Sequence, residues 1–237
     1  MDSLAKLIRF AQLNRHVQES LDVVEEAITR YKIGNTCVSF NGGKDCTALL
    51  YMVYMVVKKL CLDQPKDGII AFYAKLPNHF EEESKFVDST VQRYGLQLKC
   101  YSTKCLKESL LQLKKDLPNI EAIFIGTRQG DLKPGTKLGI FAPTDDEWPK
   151  FMRVNPILNW SYSQVWDFLR EFDIPYCDLY NQGYSSLGTM NNTSKNSSLL
   201  VHDKEGRLHY LPAWKLARNH EERSSRSNSL DVTNKNS

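Results

Sequence analysis

Segments rich in apolar and β-branched residues alternate with helical segments through the first half of this 237-residue chain. The strand-like segments are residues 36–40, 68–74, 96–102 and 121–126, and the helical ones between them are residues 47–60, 79–95 and 106–117. Parallel strands need a crossover connection, and a helix is the usual one. The alternation therefore predicts an α/β fold with a parallel, doubly wound central sheet of the Rossmann-like kind.

The segments on either side of this core differ from it. Residues 3 to about 32 have a helical period, as one long helix or two short ones. A basic, amphipathic start also resembles a mitochondrial transit peptide, but acids continue the same period, which favours ordinary helices. After Gly126 we expect loops and short helices, including a helix at 161–172 with Ser161 as its N-cap.

We expect one domain over residues 1–226, followed by a polar, disordered tail at 227–237. Its parts are an N-terminal helical segment (1–35), a nucleotide-binding α/β core (36–126) and a C-terminal part (127–226).

Composition excludes few functions. No apolar run approaches the ~20 residues that a membrane span needs. The net charge is +3 without a dense basic tract, which argues weakly against nucleic acid as a partner. Six scattered cysteines, without zinc-ligand spacing, indicate reduced thiols and a cytoplasmic protein.

Asn41, Gly42, Gly43, Lys44 and Asp45 lie between the first strand and the helix that follows it. Ligands of parallel sheets bind at the carboxyl ends of strands, where glycines let backbone amides approach an anion and the helix dipole favours negative charge. The stretch therefore favours phosphate binding over a plain glycine turn. It is not a Walker loop, because Asp follows the Gly-Lys pair where that motif has Ser or Thr.

Four segments carry a resemblance to a known family. "NGGKDCT" (41–47) resembles the pyrophosphate loop of the adenine nucleotide α-hydrolases, with Asn41 and Cys46 where that loop usually has serine. "GTRQGD" (126–131), residues 143–188 and "EERSSR" (221–226) resemble segments of the eukaryotic FAD synthases, relatives of the phosphoadenylylsulfate reductases. The resemblance runs from about Ser39 to Arg226, and on it the chain is identified as a member of the FAD synthases, also called FMN adenylyltransferases.

The resemblance implies that ATP and FMN, with Mg²⁺, give FAD and pyrophosphate. The attacking phosphate oxygen is already ionised, so catalysis becomes a matter of positioning and of stabilising charge. We expect no riboflavin kinase domain beside this one, so FMN would come from elsewhere. Two alternatives stay open: another enzyme of the superfamily, such as a reductase or a sulfurylase-type protein, and a flavin-binding or FAD-delivery protein without turnover. No cysteine follows Cys177, which argues against the reductase.

The resemblance also implies an ATP site. Its predicted residues are Ser39, Phe40, Asn41, Gly42, Gly43, Lys44, Asp45 and Arg128. The amides of residues 41–44 are expected to cradle the phosphates. Lys44 is either a point charge or a solvated lysine, and Asp45 either binds Mg²⁺ or is a helix-terminal acid. Arg128 suits a bidentate phosphate contact and Asp131 orients an arginine or the metal, against the alternative of a surface ion pair.

Flavin contacts are expected at Asp145, Trp148 and Arg153, where tryptophan can stack on the ring system, and at the turn formed by Tyr184, Ser185, Ser186, Leu187 and Gly188. Four other aromatic residues fall on and around a helix, and most of them are expected to pack in the core instead: Trp160, Tyr162, Trp166 and Phe168.

The predicted catalytic residues are Asn41, Asp45, Asp131, Arg223 and Arg226. Composition alone describes the segment with the last two as a solvated tail, whereas the resemblance implies that it orders over the phosphates. We expect idle cysteines, although a thiol such as that of Cys46 at a helix amino end can have a lowered pKa and react with alkylators. Apo-flavoproteins that receive FAD are possible partners, and mitochondria are the minor alternative to the cytoplasm.

Overall fold

The computed structural model describes residues 3–60 and 68–226. Its main sheet contains β1 (Thr36–Ser39), β2 (Ile70–Lys75), β3 (Gln97–Ser102), β4 (Ala122–Phe124), β5 (Phe141–Pro143) and β6 (Met152–Val154). The helices are α1 (Ser3–Leu13), α2 (Arg15–Tyr31), α3 (Lys44–Lys59), α4 (Glu81–Tyr94), α5 (Leu106–Asp116) and α6 (Tyr162–Glu171).

The strands lie in the order β3-β2-β1-β4-β6-β5, and all neighbours are parallel except the β5–β6 pair. The predicted α/β fold with a mostly parallel sheet is confirmed. β1, β2 and β3 run outward to one edge of the sheet, and after β3 the chain crosses to the other side of β1, where β4 lies. The two halves of the sheet therefore meet between β1 and β4. This is the switch point at which ligands of such sheets bind.

Side chains alternate between the two faces of the sheet, as strand geometry requires. Cys37 of β1 and Ile123 of β4 pack in a buried cluster with Leu113 of α5. Their neighbours Val38 and Phe124 belong to a larger cluster, which also contains buried residues of α1, α2, α3, α4 and α6. Both faces are therefore covered, which explains why the predicted strands read as nearly continuous apolar runs.

Helix ends follow local signals in the sequence. The helical stretch at the amino end is two helices, separated at Asn14. Gly95 ends α4 with a φ of 61°, and Ser161 caps α6 by accepting a hydrogen bond from the amide of Gln164 at 3.2 Å. Helix α3 begins at Lys44, three residues before the predicted start, so its first turn includes Asp45 and Cys46.

The second half contains strands that the sequence did not predict. β5 and β6 extend the main sheet, and β7 (Leu200–His202) pairs with β8 (Leu208–Tyr210) in a separate hairpin. Each of these strands has three residues, too few to show a two-residue period, and none lies in an apolar run as long as the one around β4. Pro143 is tolerated because β5 is an edge strand.

The four aromatic residues assigned to packing are buried, which confirms that prediction: Trp160, Tyr162, Trp166 and Phe168. Five cysteines of the described ranges are free thiols, while Cys61 and the predicted tail at 227–237 lie outside the described residues. None of the helices in those ranges is long and apolar enough to cross a membrane.

Candidate active site

Asn41, Gly42 and Gly43 form the glycine loop, which joins β1 to α3. Gly42 has a φ of 84°, a left-handed conformation in which other residues are strained. A Cβ at Gly42 would also lie 3.3 Å from the carbonyl oxygen of Glu83 in α4. Both the conformation and the close approach of α4 therefore require glycine at this position.

The backbone amides of this loop are partly used within the protein. The Gly43 amide donates to Oδ1 of Asn41 at 3.1 Å, and the Lys44 amide donates to the Tyr180 hydroxyl at 3.0 Å. Two of the four amides expected to cradle phosphate are therefore already bonded. The next two, of Asp45 and Cys46, have no acceptor among the described residues, so they are donors left open at the amino end of α3.

Gly126 brings the end of β4 against this helix end. A Cβ at Gly126 would lie 2.9 Å from the amide nitrogen of Cys46, so no larger residue fits without moving the backbone. The segments that follow β1 and β4 thus meet at one edge of the sheet, as their positions in the sequence predicted.

Six charged side chains form an ionic cluster beside the glycine loop: Lys44, Asp45, Arg128, Asp131, Glu222 and Arg223. Arg128 Nε lies 2.8 Å from Asp45 Oδ1, and Arg223 Nη1 lies 3.2 Å from Asp131 Oδ1. The three cations balance the three carboxylates. The cluster joins the start of α3, the segment after β4 and the C-terminal segment.

Lys44 and Arg128 are buried in this cluster, each with 2% of its surface exposed. Lys44 Nζ lies 3.0 Å from Asp45 Oδ2 and also donates to Glu222. The interpretation of Lys44 as a solvated lysine is therefore wrong, and so is that of Arg128 as part of a surface ion pair. Asp131 accepts from the backbone amide and from Nη2 of Arg128, so it does orient an arginine.

The pairing sets the protonation of Glu222 and Lys44, whereas burial raises the pKa of Asp45 although Lys44 and Arg128 oppose this. Burial would raise the pKa of Glu222, but Lys44 and Arg128 more than offset this and lower it. Burial would likewise lower the pKa of Lys44, whereas Asp45 and Glu222 raise it. Glu222 is therefore ionised and Lys44 charged at neutral pH, as a buried network of paired charges requires.

The same contacts bear on the predicted magnesium site. Magnesium needs oxygen ligands that face it, yet the two oxygens of Asp45 lie 3.0 Å from Lys44 Nζ and 2.8 Å from Arg128 Nε. Within the described ranges, no group of three or more His, Cys, Asp or Glu side chains is placed to hold a metal ion. These residues do not form a protein-held magnesium site.

Two cavities meet over the carboxyl ends of β1, β2 and β4. The loop cavity, of about 380 Å³, is lined by the glycine loop, the start of α3 and Arg223. The tryptophan cavity, of about 450 Å³, is lined by Asp145, Trp148, Arg153 and apolar side chains. Both are lined by Ser39, Phe72, Leu106, Ile125 and Thr127, so the cavities are neighbours.

The tryptophan cavity unites three of the residues predicted to contact flavin. Trp148 is half-buried, and Arg153 Nη2 lies 3.7 Å from Asp145 Oδ1 and donates to the Pro143 carbonyl at 2.9 Å. An aromatic face, a cation and a carboxylate therefore surround one largely apolar space.

The predicted turn at 184–188 lies elsewhere, at the loop cavity, to whose wall Ser186 and Leu187 belong. Tyr184 packs against Phe80 with ring centroids 5.5 Å apart, and buried Ser185 donates to the Glu222 carbonyl at 2.7 Å. Gly188 leaves the space that the Arg226 guanidinium occupies. The residues predicted as one flavin set are thus divided between the two cavities.

The remaining predicted residues of the ATP site also differ in position. Ser39 and Asn41 line the loop cavity, whereas Phe40 is fully buried and packs near Phe86. Phe40 therefore supports the loop from the core side.

The C-terminal segment is ordered through Arg226, as the resemblance implied and composition did not. The Ser194 amide donates to the Ser225 carbonyl at 3.1 Å, and Arg226 pairs with Thr193 and donates to the Leu187 carbonyl. Arg223 lines the loop cavity. Because Glu222 is buried, this segment is a packed part of the site and not an exposed tail.

Cys46 corrects another expectation. Its thiol is buried, lies 3.1 Å from both Asn41 Oδ1 and the Gly43 carbonyl, and has its pKa raised to about 12. Burial outweighs the effect of the helix end, so the lowered pKa that such a position can produce is absent at Cys46.

Sequence reasoning missed two residues of the site, Glu222 and Tyr180. Glu222 immediately precedes Arg223 in the "EERSSR" segment, so the motif contained a signal for it. Tyr180 is one of eleven tyrosines, and nothing in the sequence distinguishes it.

Comparison with known proteins places these observations in a family. The family described as phosphoadenosine phosphosulfate reductase domain matches residues 35–115 and 105–195. The chain is 35% identical over 228 residues to a probable FAD synthase of Schizosaccharomyces pombe, covering 95% of this chain and 84% of that protein. It is 40% identical over 214 residues to a probable FAD synthase of Caenorhabditis briggsae, covering 90% of this chain. The chain spans about 40% of the length of that relative.

Among solved structures, the fold is similar to Candida glabrata FMN adenylyltransferase in complex with FAD and inorganic pyrophosphate. The TM-score is 0.83 at 25% identity, over 92% of this chain and 89% of that one.

Proposed function

The chain belongs to the phosphoadenosine phosphosulfate reductase domain family and, within it, to the FAD synthases, and we propose that it is an FMN adenylyltransferase. The proposed reaction joins the AMP of ATP to FMN and gives FAD and pyrophosphate. The observation that carries the proposal is the junction of two cavities at the switch point of the sheet. One offers backbone amides and arginines, which suit phosphate, and the other offers an aromatic face in an apolar space, which suits an isoalloxazine.

In this reaction an ionised phosphate oxygen of FMN attacks the α-phosphorus of ATP. A new phosphorus–oxygen bond forms while the bond to the β-phosphate oxygen breaks, and pyrophosphate leaves. No general base is needed. The barrier comes from bringing two anions together and from charge on the leaving group, so positioned cations and amides are the expected catalytic groups.

We assign ATP to the loop cavity. The open amides of Asp45 and Cys46 and the side-chain amide of Asn41 donate to its phosphates, since Asn41 Oδ1 is already an acceptor within the loop. Arg223 and Arg226 lie on the C-terminal segment beside this cavity, and we assign to them the charge that develops during transfer.

We assign a structural role, and not direct phosphate contact, to Arg128, Asp45 and Asp131. The Arg128 guanidinium is surrounded by the carboxylates of Asp45, Asp131 and Glu222. We propose that Arg128 and these acids fix the position of the C-terminal segment relative to the start of α3. Magnesium, in this proposal, accompanies the ATP phosphates and is not held by Asp45.

We assign the flavin ring to the tryptophan cavity, with Trp148 as the stacking face and Asp145 and Arg153 as partners for the polar edge of the ring. The turn at 184–188 then faces the phosphates in the loop cavity, where Ser186 lies. FMN thereby extends from one cavity to the other, with its phosphate near that of ATP. Delivery of FAD to apo-flavoproteins in the cytoplasm is the corresponding proposal for partners and compartment.

The test is a turnover assay with purified protein, FMN, ATP and Mg²⁺, in which FAD is measured by chromatography and pyrophosphate by a coupled assay. We expect FAD and pyrophosphate in equal amounts. Riboflavin in place of FMN should give neither, because it lacks the attacking phosphate. Binding of FMN and ATP without FAD formation would contradict the proposal and favour a flavin carrier.

A further inference from the structure

Tyr180 is held rigidly at the amino end of α3. Its side chain is 1% exposed, and its ring packs edge-on against Trp166 with centroids 5.2 Å apart and planes at 79°. Its hydroxyl oxygen accepts the hydrogen bond of the Lys44 amide at 3.0 Å. The hydroxyl is thereby fixed directly beside the glycine loop.

The hydroxyl has one hydrogen of its own to donate. The Lys44 amide occupies a lone pair of the oxygen, so this hydrogen must point elsewhere. Within residues 3–60 and 68–226, the hydroxyl donates no hydrogen bond to a protein group. Burial and the neighbouring Asp45 raise the pKa of Tyr180 well above its ordinary value, so the group stays a donor at neutral pH.

Tyr180 lines the loop cavity together with Asp45 and Cys46, whose backbone amides are also open donors. Three donors at the positive end of one helix select a ligand that only accepts hydrogen bonds and carries negative charge. A phosphoryl oxygen has these properties, whereas a neutral amide or hydroxyl ligand would leave the helix dipole uncompensated.

We propose that Tyr180 is a binding residue for polyphosphate, donating its hydroxyl hydrogen to a phosphoryl oxygen of the pyrophosphate group that ATP loses. The choice of pyrophosphate rests on the proposed function, while the donor arrangement does not. The Lys44 amide sets the direction of the donor by occupying the other side of the oxygen. The Lys44 amide is not open to a ligand, because it donates to Tyr180, and the Tyr180 hydroxyl supplies a donor in its place.

The test compares Tyr180→Phe with the matched control Tyr176→Phe. Both changes delete one hydroxyl from the same segment, but Tyr176 donates to Asn181 Oδ1 on the surface. Binding of inorganic pyrophosphate is measured by calorimetry, FMN binding by flavin fluorescence, and folding by circular dichroism and melting temperature.

We expect Tyr180→Phe to weaken pyrophosphate binding about tenfold, which corresponds to about 1.4 kcal/mol, and to leave FMN binding unchanged. Tyr176→Phe should bind both ligands as the wild type does. Equal pyrophosphate affinity in the wild type and Tyr180→Phe would overturn the inference and leave Tyr180 as a cap of the Lys44 amide only.

A second measurement needs no substitution at 180. Wild-type protein containing 3-fluorotyrosine is titrated with pyrophosphate and followed by ¹⁹F NMR. Tyr180 is the tyrosine that lines the loop cavity among the described residues, so one resonance should shift and should still shift in Tyr176→Phe. A spectrum unchanged by saturating pyrophosphate would overturn the inference. If the wild type makes no FAD yet shows these pyrophosphate effects, the proposed function fails and this inference stands.

Discussion

One nitrogen of Arg128, Nη2, donates to both carboxylate oxygens of Glu222, at 2.6 Å each. The two residues are 94 positions apart, and both are buried. Their contact fastens the C-terminal segment to the switch point of the sheet, and Ser185 reinforces it by donating to the Glu222 backbone carbonyl. The position of Arg223 over the loop cavity follows directly, since it is the next residue.

Removal of the Glu222 carboxylate should lower both the free energy of unfolding and the turnover. Glu222→Ala leaves Lys44 and Arg128 buried with one carboxylate fewer, and losing a partner from a buried pair costs about 3 kcal/mol. We expect that loss in the free energy of unfolding, measured by urea denaturation, together with loss of most turnover.

The matched control for this variant is Glu221→Ala. Glu221 is the neighbouring residue and pairs with the exposed Arg218, so its loss should cost less than about 1 kcal/mol. Equal stability of Glu222→Ala and the wild type would show that the ionic cluster does not hold the C-terminal segment in place.

A substitution at Gly188 should displace the Arg226 side chain while residue 226 remains arginine. A Cβ at residue 188 would overlap the Arg226 guanidinium, the flexible end of a side chain, so the arginine moves while the fold remains. We expect Gly188→Ala to lower kcat about 100-fold, as loss of one charge-stabilising donor does, with little change in melting temperature.

Steady-state kinetics of Gly188→Ala, Arg226→Ala and Gly130→Ala check this prediction. A Cβ at Gly130 meets open space, so that variant should behave as the wild type. A normal kcat in Gly188→Ala would argue that Arg226 takes no part in transfer.

Trp148 should contribute to FMN binding and not to ATP binding. Trp148→Ala removes the aromatic face of the tryptophan cavity, and we expect the KM for FMN to rise about tenfold while that for ATP stays unchanged. FMN should also quench tryptophan fluorescence less in this variant. Trp214 contacts Arg170 and Lys215 and lines neither cavity, so Trp214→Ala is the control. Equal rises in both KM values would indicate a packing role for Trp148.

The raised pKa of Glu83 should make the stability of the protein depend on pH. Burial raises the pKa of Glu83 to about 7 from an ordinary value of 4.5, although the Phe80 amide and Arg226 oppose this shift. Between these two values the unfolded chain releases the proton and the native state keeps it. The contribution of protonated Glu83 to the free energy of unfolding is therefore fully present below pH 4.5, falls as the pH rises and is lost above about 7.

We expect Glu83→Gln, which stays neutral, to remove this dependence. The measurement is urea denaturation at pH values from 4 to 8, with Glu82→Gln as the control because Glu82 is the exposed neighbour. The same pH profile in wild type and Glu83→Gln would be inconsistent with the raised pKa.

Cysteine labelling tests the burial of Cys46. The raised pKa and the buried position keep its thiol protonated and inaccessible, whereas Cys100 and Cys105 are exposed. With iodoacetamide at pH 8 and peptide mapping by mass spectrometry, we expect Cys100 and Cys105 to react before Cys46. In urea all cysteines should react at similar rates. Early modification of Cys46 in the native protein would contradict the raised pKa and indicate a thiol activated by the helix amino end.

The sequence was sufficient for the features that depend on neighbouring residues. The alternating segments from Thr36 to Phe124, the glycine turn between β1 and α3, and the cap at Ser161 follow from local periodicity and turn chemistry. The same locality explains the failure at β5 to β8, since these three-residue strands have neither a period nor the apolar run that marked β4, and they depend on pairing with another strand.

Tertiary structure decided which partners the charged and polar residues of the site have. Lys44 contacts Glu222 across 178 positions of chain, and its amide contacts Tyr180 across 136. Those contacts place Lys44 in buried ion pairs and bring the Tyr180 hydroxyl to the glycine loop. Burial likewise raised the pKa of Cys46, whose place at a helix amino end could have lowered it. Periodicity shows which face of an element is buried, but the direction, partner and protonation of a buried polar side chain depend on groups that only folding brings within 3 Å.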